Sequence, residues 1–410
     1  MTQSEYKERA RFVSKLGIRL HKCGATSHRI EKHLLRLCEL LGIHGTFCYT
    51  PTCFTFSYWL GDSSDQLVLV ERMKPSGGDL GQLERLDSLI TSFEYKELCF
   101  ADMLVAFDQD EEVRGYYSGT IQCVAWVTVC VCFAAVFSPN MVDALVSGLI
   151  SMCVFFLTVA MSRNGRFSAI IEVASALVSG LLASGMTALG IDINVPLVVL
   201  SSVIVHIPGL SLTVALSEIA MQDLVSGTSK LVDAIMGLFK LYIGALLGIG
   251  LGALIWPEAA HEWGLYWPFE SAWKAPPLLI LLSLSILIVM NGSIKLAPWC
   301  LLSASIGFVA SQYAGAAFGT VLGMFLGAFS VGVYANWFSN FRNKPASIVL
   351  IQGLVVLVPG SKTYMVVNSW VTGEKILNNG PSINDAFLTF ISLVIGLLLA
   401  NAVLPSKKSL

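Results

Sequence analysis

The sequence predicts an α-helical polytopic membrane protein with ten transmembrane helices, built as two inverted five-helix repeats and preceded by a small α+β cytosolic domain. Three observations carry that prediction. The 410 residues are 55% hydrophobic and only 13% charged, with a mean hydropathy of +0.69; a soluble fold struggles to hide that much apolar surface. Charge is uneven: residues 1–116 hold 14 of the 26 Lys and Arg and 17 of the 28 Asp and Glu. A Pro-Gly pair also recurs inside an apolar run, at Pro208-Gly209 and Pro359-Gly360, an offset of 151 residues. The expected units are a cytosolic domain over 1–116, a first membrane module over 117–258 and a second over 276–405.

The head comes first. "EYKERARFVSKLGIRLHKCG" reads as an amphipathic helix with Phe12, Leu16, Ile18 and Leu20 on its apolar face, stopped by Gly24. "ATSHRIEKHLLRLCELLG" reads as a second, with Thr26 or Ser27 to cap it, Ile30, Leu34, Leu37 and Leu41 at helical spacing, and Gly42 to end it. "GTFCYTPTCFTFSYWL" and "QLVLVER" are β-branched and aromatic, as strands of a small sheet are. "DLGQLERLDSLITSFEYKELCFADML" returns to a helical period. The start, "MTQSEYKERARF", has no apolar run of signal-peptide type, so the head is expected in the cytoplasm.

Catalytic and metal chemistry find little support. His21, His28, His33 and His44 have no acidic partner at ligand spacing, and surface or packing roles outweigh metal or catalysis. None of the ten cysteines forms a CxxC pair, so they are expected as reduced, packed thiols. No GxxxxGK[ST] occurs, which argues against ATP-driven transport. No enzyme activity, cofactor or metal is expected, and the net charge of −2 predicts no nucleic-acid partner.

The body follows. Apolar stretches near 117–137, 143–161, 169–190, 195–216, 232–255, 276–294, 297–313, 315–338, 346–366 and 383–404 each suit a crossing of about 20 residues. With the head inside, inner loops carry Arg163, Arg166, Lys230, Lys295, Arg342, Lys344, Lys407 and Lys408. Outer loops carry fewer bases, Lys274, Lys362 and Lys375, and the stretch "WPEAAHEWGLYWPFESAWK" supplies an interfacial aromatic belt. Both termini are thus expected in the cytoplasm. Glycines in "GALLGIGLGA" and "GAAFGTVLGMFLGAFSVG" give small faces for close helix packing.

The two Pro-Gly stretches carry the functional expectation. Each is followed by hydroxyls, Ser211 and Thr213 or Ser361 and Thr363, and by an acid fifteen residues after the proline, Asp223 or Glu374. Five spans per copy is an odd number, so the copies enter the membrane from opposite faces. Proline removes a donor and clashes with the preceding turn; in lipid such a break survives beside protein or a wet cavity. The new half-helices expose amide donors and positive dipole ends, suited to a carboxylate. The expected substrate-binding set is therefore Pro208, Gly209, Ser211 and Thr213 with Pro359, Gly360, Ser361, Lys362 and Thr363; a simple packing kink is the alternative. Proton-coupling candidates are His206, Asp223 and Glu172. Glu172 and Lys240 are candidates for an ion pair or relay, with a snorkelling Lys240 the favoured alternative. Glu218, Asp223, Asp233 and Glu374 lie toward segment ends and are mostly expected to face water.

"GATSHRIEKHLLRLCELLG", "YTPTCFTFS" and "PGLSLTVALSEIAMQDLVSGTSKLVDA" together resemble the bacterial threonine/serine exporter family, across nearly the whole chain. The resemblance implies a cytosolic domain, two five-helix modules, and export of small amino acids such as threonine and serine driven by the proton motive force. By position, Pro208, Gly209, Thr213, Asp223, Gly227 and Asp233 match the family stretch; Lys230 stands where an arginine is expected, and "FSPNMVDA" lacks the family's glycine pair. Split relatives are linked to dicarboxylate export such as that of succinate, which is kept as an alternative, as is a channel or sensor gated by the head. The implied location is a bacterial inner membrane. The expected partners are a small carboxylate-bearing metabolite, protons and membrane lipid, with a homo-oligomer allowed.

Overall fold

The computed structural model describes residues 2–61, 65–74, 77–95, 99–113, 115–138, 140–257, 275–357 and 383–406. The head opens with α1 (Gln3–Lys22) and α2 (Ser27–Leu41), continues through strands β1 (His44–Thr50), β2 (Cys53–Trp59) and β3 (Leu67–Arg72), and closes with α3 (Leu80–Glu94) and α4 (Phe100–Glu112). Thr2 and Glu5 form a reciprocal cap at the start of α1, and Gly42 ends α2 in the left-handed region. The sheet is antiparallel in the order β1-β2-β3, with Phe47 opposite Phe56 and Thr55 opposite Val70. Alternation along β2 sends Phe54, Phe56 and Tyr58 into the core. Gly17 lets α1 close on that layer: a Cβ there would lie 2.9 Å from Leu34 and 3.0 Å from Phe54 and Phe56. The α+β head expected from the sequence is thus the one observed.

The body contains α5 (Gly119–Phe137), α6 (Met141–Ser162), α7 (Ile171–Ala188), α8 (Val195–Ser202), α9 (Gly209–Ala220) and α10 (Leu224–Ile255). After residues outside the described set come α11 (Ala275–Val289), α12 (Ala297–Phe318), α13 (Thr320–Arg342), α14 (Ala346–Leu357) and α15 (Ile383–Val403). Among the described residues seven helices are long and apolar enough to cross a membrane, or eight when α8 and α9 count as one bent span; Pro277–Val289 and Ala346–Leu357 are shorter apolar helices. This is a multi-pass helical membrane protein.

Packing is orderly. In the first module α5 packs on α6, α6 on α7, α5, α6 and α7 on α8, and α7 on α10. In the second, α11 packs on α12, α12 on α13, α11, α12 and α13 on α14, and α13 on α15. The modules meet where α5 touches α11 and where α9 touches α14 and α15.

Three boundaries differ from the sequence reading. The long helix α10 begins at Leu224, eight residues before the expected start. The turn between α12 and α13 sits at Gly319, whose φ of 90° a glycine adopts without strain. The interruption near Pro208 is wider than one residue: α8 stops at Ser202, a single tight turn covers Ile204–His206, and α9 starts at Gly209, the two pieces meeting at 56°. Ile207 is held extended at φ −68° and ψ 118°, as a residue before proline is.

Candidate substrate cavity

The broken span places Pro208 between an eight-residue piece and a twelve-residue piece, inside the apolar run. The second piece, α9, borders a cavity of about 550 Å³, within the range of small-molecule sites. One wall is α9, with Leu210, Thr213, Ser217 and Glu218; another is α14, with Ser347, Leu350 and Leu354; α13 and α15 add Asn336 and Asn401. The roof is the head, through the α1–α2 turn and the first turns of α2, where His28, Arg29 and Lys32 line the space. Asn336 donates to Asn401 at 2.8 Å.

Glu218 organises the junction. Only 2% exposed, it accepts from Lys230 Nζ at 2.5 Å, Ser226 Oγ at 2.9 Å and the backbone N–H of Ser27 at 3.1 Å. The Ser27 hydroxyl donates to Asp223 at 2.8 Å. Thr26, the N-cap of α2, makes no side-chain cap bond, so two body carboxylates serve the positive end of a head helix instead. Glu218 is therefore a buried junction residue and not the water-facing one expected. Further ties run from Leu80 N–H to Met290 O at 3.0 Å, from Asn291 to Asp79 at 3.3 Å, and between Lys344 and Glu84.

The substrate-binding residues expected from the sequence are distributed as follows. Thr213 lines the cavity, is 1% exposed, and returns its hydroxyl to Gly209 O at 3.2 Å. Gly209 is buried, and its N–H is taken by Ile207 O at 2.8 Å. Ser211 is exposed and does not line the cavity, nor does Pro208. Pro359, Gly360, Ser361, Lys362 and Thr363 lie outside the described residues, as does Glu374, so the second interruption is not seen. The tryptophan-rich stretch 258–274 lies outside them too.

Of the proton-coupling candidates, Asp223 stands at the cavity wall bound to Ser27. His206 is elsewhere in the first module, with Nε2 3.2 Å from Thr158 Oγ1, its ring edge-on to Trp126, and Nδ1 buried with no partner among the described residues. Glu172 pairs with Lys240 at 3.8 Å. Sequence reasoning missed Glu218, Lys230, Ser27 and Arg29 as one cluster. The signal available was an acid inside an apolar helix, eight residues before Ser226 and twelve before Lys230.

Cys23 and His21, head residues near the junction, carry shifted proton affinities. Burial first, then the Asp79 and Asp110 carboxylates, pushes Cys23 up to about 12, an inert thiol. All ten cysteines are unpaired; five are buried, but Cys48, Cys99 and Cys153 are exposed and are not the packed thiols expected. His21 bridges Tyr49 OH at 2.6 Å and Lys74 O at 2.8 Å; since a carbonyl only accepts, Nε2 carries the hydrogen. Burial, helped by Lys230 and Lys22 and opposed by the Lys74 carbonyl, holds His21 below its usual value. The unfolded chain then binds a proton first as pH falls, so His21 contributes stability at neutral pH that is lost as pH drops below the unfolded value of about 6.5. Melting the full chain at neutral and mildly acidic pH tests this: the wild type loses more on acidification than His21→Asn, and equal losses remove His21 from the account.

The family model described as "Putative threonine/serine exporter" matches residues 11–252. The chain belongs to this family. A second model of the threonine/serine exporter family, described as "Threonine/Serine exporter, ThrE", matches residues 278–403, so both parts of the family occur in one chain. Curated relatives of this exporter-family chain include "Pheromone-regulated membrane protein 10" of Candida albicans (strain WO-1), 23% identical over 93% of this chain and 35% of the relative. Proteins of the same description from Zygosaccharomyces rouxii (23% identical; 92% of this chain, 39% of the relative) and Saccharomyces cerevisiae strain YJM789 (23%; 94% and 50%) also match. The chain spans between about a third and a half of these relatives. No solved structure matches it.

Proposed function

We propose that the protein is a secondary exporter of small amino acids such as threonine and serine, driven by the proton motive force. The observation that carries this reading is the cavity beside α9: it lies where the broken span, the second module and the head meet, the setting in which transporters of this build bind solutes. We read the body as ten crossings in two inverted five-helix repeats. The recurrence of the same packing partners, helix for helix, in the two modules supports that, and so does the 151-residue offset that lays Val195 at the start of α8 on Ala346 at the start of α14. Arg163, Arg166, Lys230, Lys295, Arg342 and Lys344 on one side favour a cytoplasmic head and cytoplasmic termini in a bacterial inner membrane. Substrate contacts fall to the first turns of α9, through Leu210 and Thr213; Pro359, Gly360, Ser361, Lys362 and Thr363, proposed as the rest of the set, lie outside the described residues. Asp223, His206 and Glu172 are the candidates for moving the proton.

Proteoliposomes loaded with labelled threonine test the proposal. An inward proton gradient accelerates threonine efflux, a protonophore abolishes the acceleration, and ATP has no effect. Efflux indifferent to the gradient, or dependent on ATP, rules the reading out. Dicarboxylate export is the second reading, favoured by Arg29 and Lys32 on the same cavity wall; succinate efflux outpacing threonine efflux in the same vesicles selects it.

A further inference from the structure

Arg29 is a half-buried cation with no counter-charge among the described residues. It stands on the second residue-pair of α2, half-buried, facing the cavity. Among the described residues it makes no hydrogen bond or ion pair. Loss of solvent alone lowers it to about 10, with no carboxylate offsetting the shift, and it remains charged at neutral pH. The two acids that share the cavity are already committed: Glu218 to Lys230, Ser226 and the Ser27 amide, Asp223 to the Ser27 hydroxyl. Those same bonds fix the start of α2, so the position of Arg29 is held from the body side.

Neighbouring chemistry fits a small acid. Lys32 follows Arg29 at i+3 and His28 precedes Lys32 at i+4, so one face of α2 presents three bases to the cavity. Across from them, Thr213 and Ser217 offer hydroxyls and Leu350 and Leu354 an apolar floor. A guanidinium in a partly dehydrated space is the side chain that grips a carboxylate with two parallel N–H bonds.

We propose that the carboxylate-binding residue of this cavity is Arg29, so that the cytosolic head forms one wall of the transport site. The inference deepens the exporter reading and rests on it for the identity of the solute. The amino acid's carboxylate docks on Arg29 with Lys32 as a second cation. Its ammonium and side chain turn toward the Asn336–Asn401 pair and the hydroxyls of α9.

Calorimetric titration of the purified full chain with threonine, succinate and threonine methyl ester tests this, alongside the concentration dependence of threonine efflux from proteoliposomes. Arg29→Gln weakens threonine and succinate binding by about 10-fold or more, the loss of one charge-assisted contact, and raises the efflux KM while the maximal rate changes far less. Arg29→Lys keeps the charge without the fork and recovers part of the affinity; it also carries the test where Arg29→Gln folds poorly. Ester binding, which offers no carboxylate, is the same in wild type and variants. Unchanged threonine affinity in both variants overturns the inference, as does an equal loss for the ester, or failure of the wild type to bind either acid. Gradient-driven efflux that survives with unaltered KM in Arg29→Gln sinks this inference and leaves the exporter reading standing. Arg29-dependent binding without gradient-driven efflux does the reverse.

Discussion

Glu218→Ala is expected to cost about 3–5 kcal/mol of stability, the range for breaking a buried ion pair by removing one partner. The carboxylate is 2% exposed and serves three donors. Its loss leaves Lys230, whose side chain is 20% exposed, without its counter-charge, and leaves the first amide of α2 uncapped because Thr26 supplies nothing. Partial exposure of Lys230 puts the effect toward the lower end of that range. Lys230→Met alone is also destabilising, since it strands Glu218. The double variant Glu218→Ala with Lys230→Met costs less than the two single changes together, because neither charge is then orphaned. Unfolding of the detergent-solubilised chain measures all four corners, and limited proteolysis between head and body reports the loosened junction. Strict additivity, with each single change below about 1 kcal/mol, is the pattern of an exposed pair and contradicts this account.

Gly248→Ala is expected to be the second severe change. Along α10, Gly244, Gly248 and Gly252 repeat every four residues and face α7. A Cβ at Gly248 would sit 2.2 Å from Leu177 O, at Gly244 2.3 Å from Val173 O, and at Gly252 2.3 Å from Ser184 Cβ. The first two obstacles are backbone and cannot rotate aside, so the helices must part along the whole seam and forfeit their contacts. The cost lies at or above the upper end of the roughly 1–3 kcal/mol seen for overpacking. Gly250, two residues away, has open space around it, so Gly250→Ala stays within about 0.5 kcal/mol. Comparing the melting and membrane accumulation of the two alanine variants tests the seam; similar behaviour at 248 and 250 would show that contact with α7 does not set the limit.

The seam was legible because a four-residue glycine period has one structural use in an apolar helix. The head was legible for a related reason: Ile30, Leu34, Leu37 and Leu41 keep a helical period, Gly42 punctuates it, and the alternation of Phe54, Phe56 and Tyr58 marks a strand with one buried face. The break at Pro208 was legible in existence but not in width, since where α8 lets go depends on its packing against neighbours and not on the proline alone. The cavity was not legible. Its walls come from residues near 29, 213, 350 and 401, and local pattern carries no record of contacts so distant. Glu218 looked like a segment-end acid because its partner, the Ser27 amide, is backbone and leaves no mark in the sequence. Arg29 looked like any polar-face base on an amphipathic helix, because what makes it unusual is the lid it forms over another part of the chain.

The cap that Glu218 places on α2 reaches across 191 residues. A ribosome working at about 5–20 residues per second needs roughly 10–40 s to make that stretch. Through that interval the nascent α2 has its amide end open to water, with neither of the body acids yet made. Docking of the head is thereby timed to the arrival of α9: the half-helix bordering the cavity is also the part whose insertion completes the fold upstream of it.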